Sequence, residues 1–197
     1  TQDSNFCCNN DSENRDMVSK DFFGKIDTVD AQRDSEWLRA GRYLCYIRKF
    51  FARERRDEKG KMSGFELTIL KVLDPTNAAQ EPQGPHHAGD LTTWGFMLNY
   101  EAAWAAMKGA IASVMGVKPE EVSPQVCFEC TQDDQPLGGL VVELEGKLIK
   151  TQKNARPLNR VTIKRVVPAA EVLAAVDEKL LKSFHVDVEA LKAEAAA

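Results

Sequence analysis

The period of the sequence changes once in its middle, and that change constrains the fold more than any other feature. Tyr100, Ala103, Trp104, Met107, Ile111, Val114 and Met115 recur at helical spacing and stop at Gly116, a residue suited to a helix C-cap. On both sides of this stretch the chain reads in twos, the period of a half-buried strand. In the stretch GRYLCYIRKFFARERRDEKGKMSGFELTILKVLD, residues 41–74, one face collects Tyr43, Cys45, Ile47 and Phe51 and the other Arg42, Tyr46, Arg48 and Phe50. A charged connector over 53–64 turns this strand back into a second, 65–73, so a hairpin with a mostly basic tip is expected. A loop with three prolines and His86-His87 follows over 74–89, then a third strand over 90–98, with Gly95 marking a bend or bulge. After the helix, a short helical turn is expected at 119–122 and strands over 125–131, 140–149 and 158–167, the last stopped by Pro168.

Three strands, one helix and two or three more strands is the order of an OB-type barrel, although a small antiparallel sandwich gives a similar one-dimensional pattern. The fold class expected is mainly β with helices: a five- to six-stranded antiparallel barrel of OB type with its helix after strand 3. The first 35 residues are rich in Asn, Asp and Ser with few apolar anchors, which predicts a flexible arm. The alanine-rich end predicts a helical tail, amphipathic through Val172, Val176, Leu180, Leu181, Phe184, Val188 and Leu191. The expected organisation is therefore an arm over 1–35, a binding domain over 36–168 and a tail over 169–197. At 197 residues one well-buried core is affordable and two are not.

Charge distribution points to a ligand class. The formal net charge of −4 hides two basic segments, and local potential, not net charge, steers a polyanion. The first is the hairpin, with Arg42, Arg48, Arg53, Arg55, Arg56, Lys59 and Lys61. The second, KLIKTQKNARPLNRVTIKRVV over 147–167, carries Lys150, Lys153, Arg156, Arg160 and Lys164 among its cations and no acidic residue. Single-stranded nucleic acid needs a positive groove for its backbone and aromatic faces for its bases. Tyr46 and Phe50, sharing a face with two arginines, are stacking candidates. Trp94 is a further one, although it and Phe96, two apart on a strand, suit a core better. Basic residues in 53–61 also fit a merely solvated hairpin tip.

Other chemistries leave few traces. No phosphate-binding Gly-x-x-x-x-Gly-Lys-Ser/Thr loop, Gly-x-Ser-x-Gly elbow or His-Glu-x-x-His occurs, so the chain is not expected to be an enzyme or to need a cofactor. Cys127-Phe-Glu-Cys130 is half of a zinc site with no second half, and the two thiols are expected on a strand as small hydrophobes. Five cysteines without a secretory leader predict reduced thiols. No apolar run approaches the roughly 20 residues that span a bilayer, so a soluble intracellular protein without membrane contact is expected.

The Gly-Arg-Tyr first strand, the basic hairpin, the Phe-Glu-Leu-Thr-Ile second strand, the Gly-Asp-Leu-Thr-Thr-Trp third strand, the helix ending in Met-Gly and the closing Asn-Arg-Val-Thr-Ile-Lys strand together resemble bacteriophage single-stranded DNA-binding proteins of the OB-fold type. The resemblance covers residues 22–168. It implies a protein of phage DNA replication, recombination or repair, located in the host cytoplasm, that coats exposed strands without sequence preference. RNA is an alternative ligand, and a homo-oligomer or replication and recombination proteins are expected partners. The end, Lys192-Ala-Glu-Ala-Ala-Ala197, departs from the acidic tail with a terminal hydrophobic residue that many members use to recruit partners. A phage structural or scaffolding protein using a β-barrel or sandwich for assembly is the competing reading, and it leaves the acid-free segment unexplained.

Overall fold

The computed structural model describes residues 36–54, 60–81, 83–150 and 158–196. The expected arm over 1–35 lies outside them, as do Arg55, Arg56, Lys59, Lys153 and Arg156. The described residues fall within one compact unit, Asp34–Ala197. It is a mixed α/β structure whose six strands form one open sheet: β1 (Glu36–Trp37), β2 (Gly41–Glu54), β3 (Lys61–Asp74), β4 (Leu91–Met97), β5 (Val141–Ile149) and β6 (Leu158–Val166), in the spatial order β1-β4-β3-β2-β5-β6.

A closed barrel was the expectation, and the described sheet does not close. The edge of β4 carries β1 in parallel, with Glu36 opposite Thr92 and Trp37 opposite Thr93, and no described ladder joins β6 to β4 or β1. Between the two ends a side-chain hydrogen bond crosses, from Asn159 Nδ2 to the Leu38 carbonyl at 2.7 Å.

Among the described residues five α-helices accompany the sheet, more than the sequence pattern announces. α1 (Glu101–Met115) ends at Gly116 with φ of 68°, the left-handed C-cap expected there. α2 (Pro124–Glu129) replaces the strand expected over 125–131. Ser123 accepts from the Val126 backbone N–H at 3.2 Å and Pro124 occupies the first helical turn, two start signals that outweigh the short apolar pattern. Cys127 is therefore helical and Cys130 caps the helix. Burial raises the pKa of both thiols, that of Cys130 to about 11, and no cluster of three or more metal-ligating side chains occurs among the described residues.

Two apolar clusters sandwich the sheet. On the inner face Tyr43, Cys45, Ile47, Phe50, Phe65, Leu67 and Ile69 pack with Met107, Ile111 and Val114 of α1. On the opposite face Leu44, Leu70 and Val141 are covered by α3 (Ala169–Ala175), α4 (Glu178–Ser183) and α5 (Val188–Ala196) through Val172, Val176, Leu181, Val188 and Leu191. The apolar stripe of the tail is thus spent on its own sheet, with Leu180 left exposed. No described helix is long and apolar enough to cross a membrane.

Candidate nucleic-acid interface

One irregularity in β2 decides which aromatic rings reach solvent. The ladder between β2 and β3 shifts register between Ile47 and Lys49. Upstream, β2 pairs with β5 as far as Tyr46 opposite Val141. Beyond that, its backbone bonds turn to the loop before β5, with Ile47 N–H donating to the Leu140 carbonyl at 2.8 Å and Gly139 N–H to the Ile47 carbonyl at 2.9 Å. One extra residue at a bulge reverses every side chain after it. Phe50 therefore joins the inner face, 2% exposed and edge-on to Phe65 with ring centres 5.0 Å apart. The expected face of Arg42, Tyr46, Arg48 and Phe50 does not exist as such, because Phe51 takes the outward place.

Phe51 begins a row across the sheet. It pairs with Gly64 on β3, and Gly64 pairs with Gly95 on β4, so all three present the same face. The ladder runs through Gly95 without a register shift, so this glycine marks no bulge. Its role is to make room: a β-carbon at Gly95 would stand 2.6 Å from Trp37 Cζ3, and one at Gly64 would meet Phe51 Cζ at 3.2 Å. Two rings, Trp37 on the edge strand β1 and Phe51 on β2, thus lie over paired glycines on the outward face. Trp37 is 52% exposed, and the Arg53 guanidinium sits 5.0 Å from the Phe51 ring centre. Lys49 lies on the same face, bridged to Glu66 at 3.2 Å.

Elsewhere the structure redistributes the expected site. Tyr46 is half-buried against the C-terminal helices, where burial raises its hydroxyl pKa and a hydrogen bond its oxygen accepts from the Asp187 backbone opposes that. Trp94 belongs to the inner side, stacked on Phe65 at 5.3 Å and 21°. Arg48 is half-buried at the bulge. Arg53, Lys61, Lys150 and Arg160 are exposed.

Acids across the ladder, invisible in a linear scan of 147–167, engage much of the second basic segment. Arg42 Nε donates to Glu143 Oε1 at 2.6 Å, and Arg165 Nε to Glu143 Oε2 at 3.1 Å while its other nitrogens clasp Glu171. Those acids push the already high Arg165 pKa further up. Lys147 and Lys164 bracket Glu145 at 3.1 and 3.4 Å, and their hydrogen bonds hold its carboxyl below the usual range. Arg160 faces Lys147 across the β5–β6 ladder.

Three further exposed aromatics escaped the sequence reading. Tyr100 and Trp104, expected in the core stripe of α1, are 72% and 46% exposed, and Phe128 on α2 is 59% exposed. Helical spacing identifies their shared face but not that the first turn of α1 runs past the core. Compared with models of known families and with curated proteins, the sequence matches none.

Proposed function

We propose that this chain binds single-stranded nucleic acid, DNA foremost, without sequence preference and without catalysing a reaction. The observation that carries the reading is the row of Trp37 and Phe51 over Gly95 and Gly64, with Arg53 against it. An exposed ring at Trp37 and a half-buried one at Phe51, over a strip whose glycines carry no side chains, let bases stack whatever their identity, and the cations meet the phosphates between them. In the sequence Arg53 and Lys61 bracket Arg55, Arg56 and Lys59, and Lys150 and Arg160 bracket Lys153 and Arg156. We read the arrangement as OB-type. The ladders β4-β3-β2-β5-β6, with α1 between β4 and β5, follow that connectivity without its closing ladder, and the two basic hairpins correspond to the loops with which OB modules bind oligonucleotides. A role on strands exposed in replication, recombination or repair, as in phage single-strand-binding proteins, follows from the same reading.

Titration with labelled single-stranded and duplex DNA across a salt series tests it. Single strands are expected to bind more tightly, with log K falling against log salt by about 0.7 per phosphate neutralised. Equal affinity for both forms, or a flat salt response, overturns the proposal in favour of an assembly role.

A further inference from the structure

At the hairpin end of the domain, on the α1 side of the sheet, lies a cavity of about 390 Å³. Trp104 and Met107 of α1, Cys127 and Phe128 of α2, and Arg53 and Met62 of the hairpin contribute to its walls. The volume falls in the range of small-molecule pockets, and the walls are mostly apolar with few polar groups. Trp104 does not swing freely there, because its Nε1–H donates to the Leu98 carbonyl at 2.9 Å while 46% of the residue stays exposed. Phe128 stands on a helix fixed by the Ser123 cap. Apolar surface held open in this way calls for an occupant.

Resting on the single-strand reading above, we propose that this cavity receives one nucleobase of a strand that rounds the hairpin at Arg53 and stacks other bases on Phe51 and Trp37. Two observations favour a base over a purely apolar partner. Arg53 is shared: it lines the cavity and also lies 5.0 Å from the Phe51 ring centre, so a phosphate held by its guanidinium connects the two places. Lys61 adds a second cation to the lining, and Glu54, opposite Lys61 across the β2–β3 ladder, also contributes to the wall, leaving two cations to one carboxylate. The rim is therefore net positive, which suits a strand and repels an acidic peptide. Thr131 Oγ1 already donates to the Phe128 carbonyl at 2.7 Å, which leaves stacking and shape as the main recognition and sequence tolerance as the consequence.

The three tryptophans allow a direct test. Trp104 is made the sole tryptophan by Trp37→Phe with Trp94→Phe, and Trp37 the sole one by Trp94→Phe with Trp104→Phe; both are titrated with an oligothymidylate at low salt. Quenching of Trp104 is expected. In the background that keeps all tryptophans, Phe128→Ala, at a largely exposed position, is expected to weaken single-strand binding about 5- to 150-fold, the equivalent of one stacked base. Quenching of Trp37 with Trp104 unchanged, and parental affinity for Phe128→Ala, would overturn the cavity assignment while the single-strand reading stands. Loss of self-association or of a protein contact in Phe128→Ala at parental DNA affinity would overturn it in favour of a docking surface. If neither tryptophan responds and no strand binds, the single-strand reading itself fails and the cavity assignment with it.

Discussion

The indole of Trp37 lies over Gly95, so close that a β-carbon there would stand 2.6 Å from Cζ3. Gly95→Ala must displace the ring, whereas Gly64→Ala would press on backbone, the Trp94 carbonyl at 2.6 Å and Gly95 Cα at 2.8 Å. A ring gives way more easily than a ladder. Gly64→Ala is therefore expected to cost about 1–3 kcal/mol of stability in urea unfolding, and Gly95→Ala less. In strand titrations Gly95→Ala should still bind several-fold more weakly. Parental binding with an unchanged Trp37 emission would show that the ring is no platform.

Part of this was readable in the chain and part was not, for identifiable reasons. The helical repeat ending at Gly116 and the period-two pattern of β2, β3 and β4 are local, and they predict α1 and the central strands. The bulge at Arg48 is not local: it depends on loop 135–140 supplying backbone partners to β2 where β5 stops, so the faces of Phe50 and Phe51 could not be assigned from alternation alone. Likewise the pairing of Gly64 with Gly95 and of Arg165 with Glu143 exists only once strand register is known. Ser123-Pro124 was a legible helix start, overridden in the sequence reading by a short apolar run.

His86 gives the domain a pH dependence. It is 1% exposed, accepts the Arg39 backbone N–H on Nε2 at 3.1 Å, lies 3.4 Å from Thr92 Oγ1, and turns Nδ1 toward Asp90 at 3.4 Å. Burial lowers its pKa from 6.5, with Arg39 acting the same way and Asp90 opposing. The unfolded chain therefore binds this proton more readily than the folded one. Stability from this group is complete above pH 6.5 and falls as pH drops from there toward the lower folded value. Urea midpoints measured from about pH 8 to about pH 5 should be flat and then decline, and His86→Gln should show a smaller decline. A decline of the same size in the variant would assign the effect to other groups.

The C-terminal helices belong to the folded unit, since Leu181 is fully buried between them and the sheet residues Leu44, Leu70 and Val141. Leu181→Ala is expected to cost about 2–5 kcal/mol, the range for emptying a core leucine site. Truncation after Pro168 uncovers the apolar sheet face and should lower the unfolding midpoint and promote association in light scattering. A truncated chain as stable and monomeric as the parent would contradict the packing.

Phe50 and Phe51 are adjacent in sequence, opposite in the sheet, and should fail in opposite ways. Phe50 fills the core against Phe65, so Phe50→Ala is expected to lose about 3–5 kcal/mol of stability. Any loss of binding in that variant should follow the unfolded fraction. Phe51 lies on the outward face over Gly64, and Phe51→Ala should change stability by less than about 1 kcal/mol while weakening strand binding by about 1–3 kcal/mol. Because a stacked ring releases no counterions, the slope of log K against log salt should stay at the parental value in Phe51→Ala. Arg53→Ala combined with Lys61→Ala should do the reverse, flattening that slope by about 1.4 if each cation neutralises one phosphate. Calorimetry beside titration separates the cases. If Phe51→Ala binds like the parent while Phe50→Ala, still folded at low temperature, does not, then the bulge at Arg48 places the wrong ring outward and the row is not the binding face.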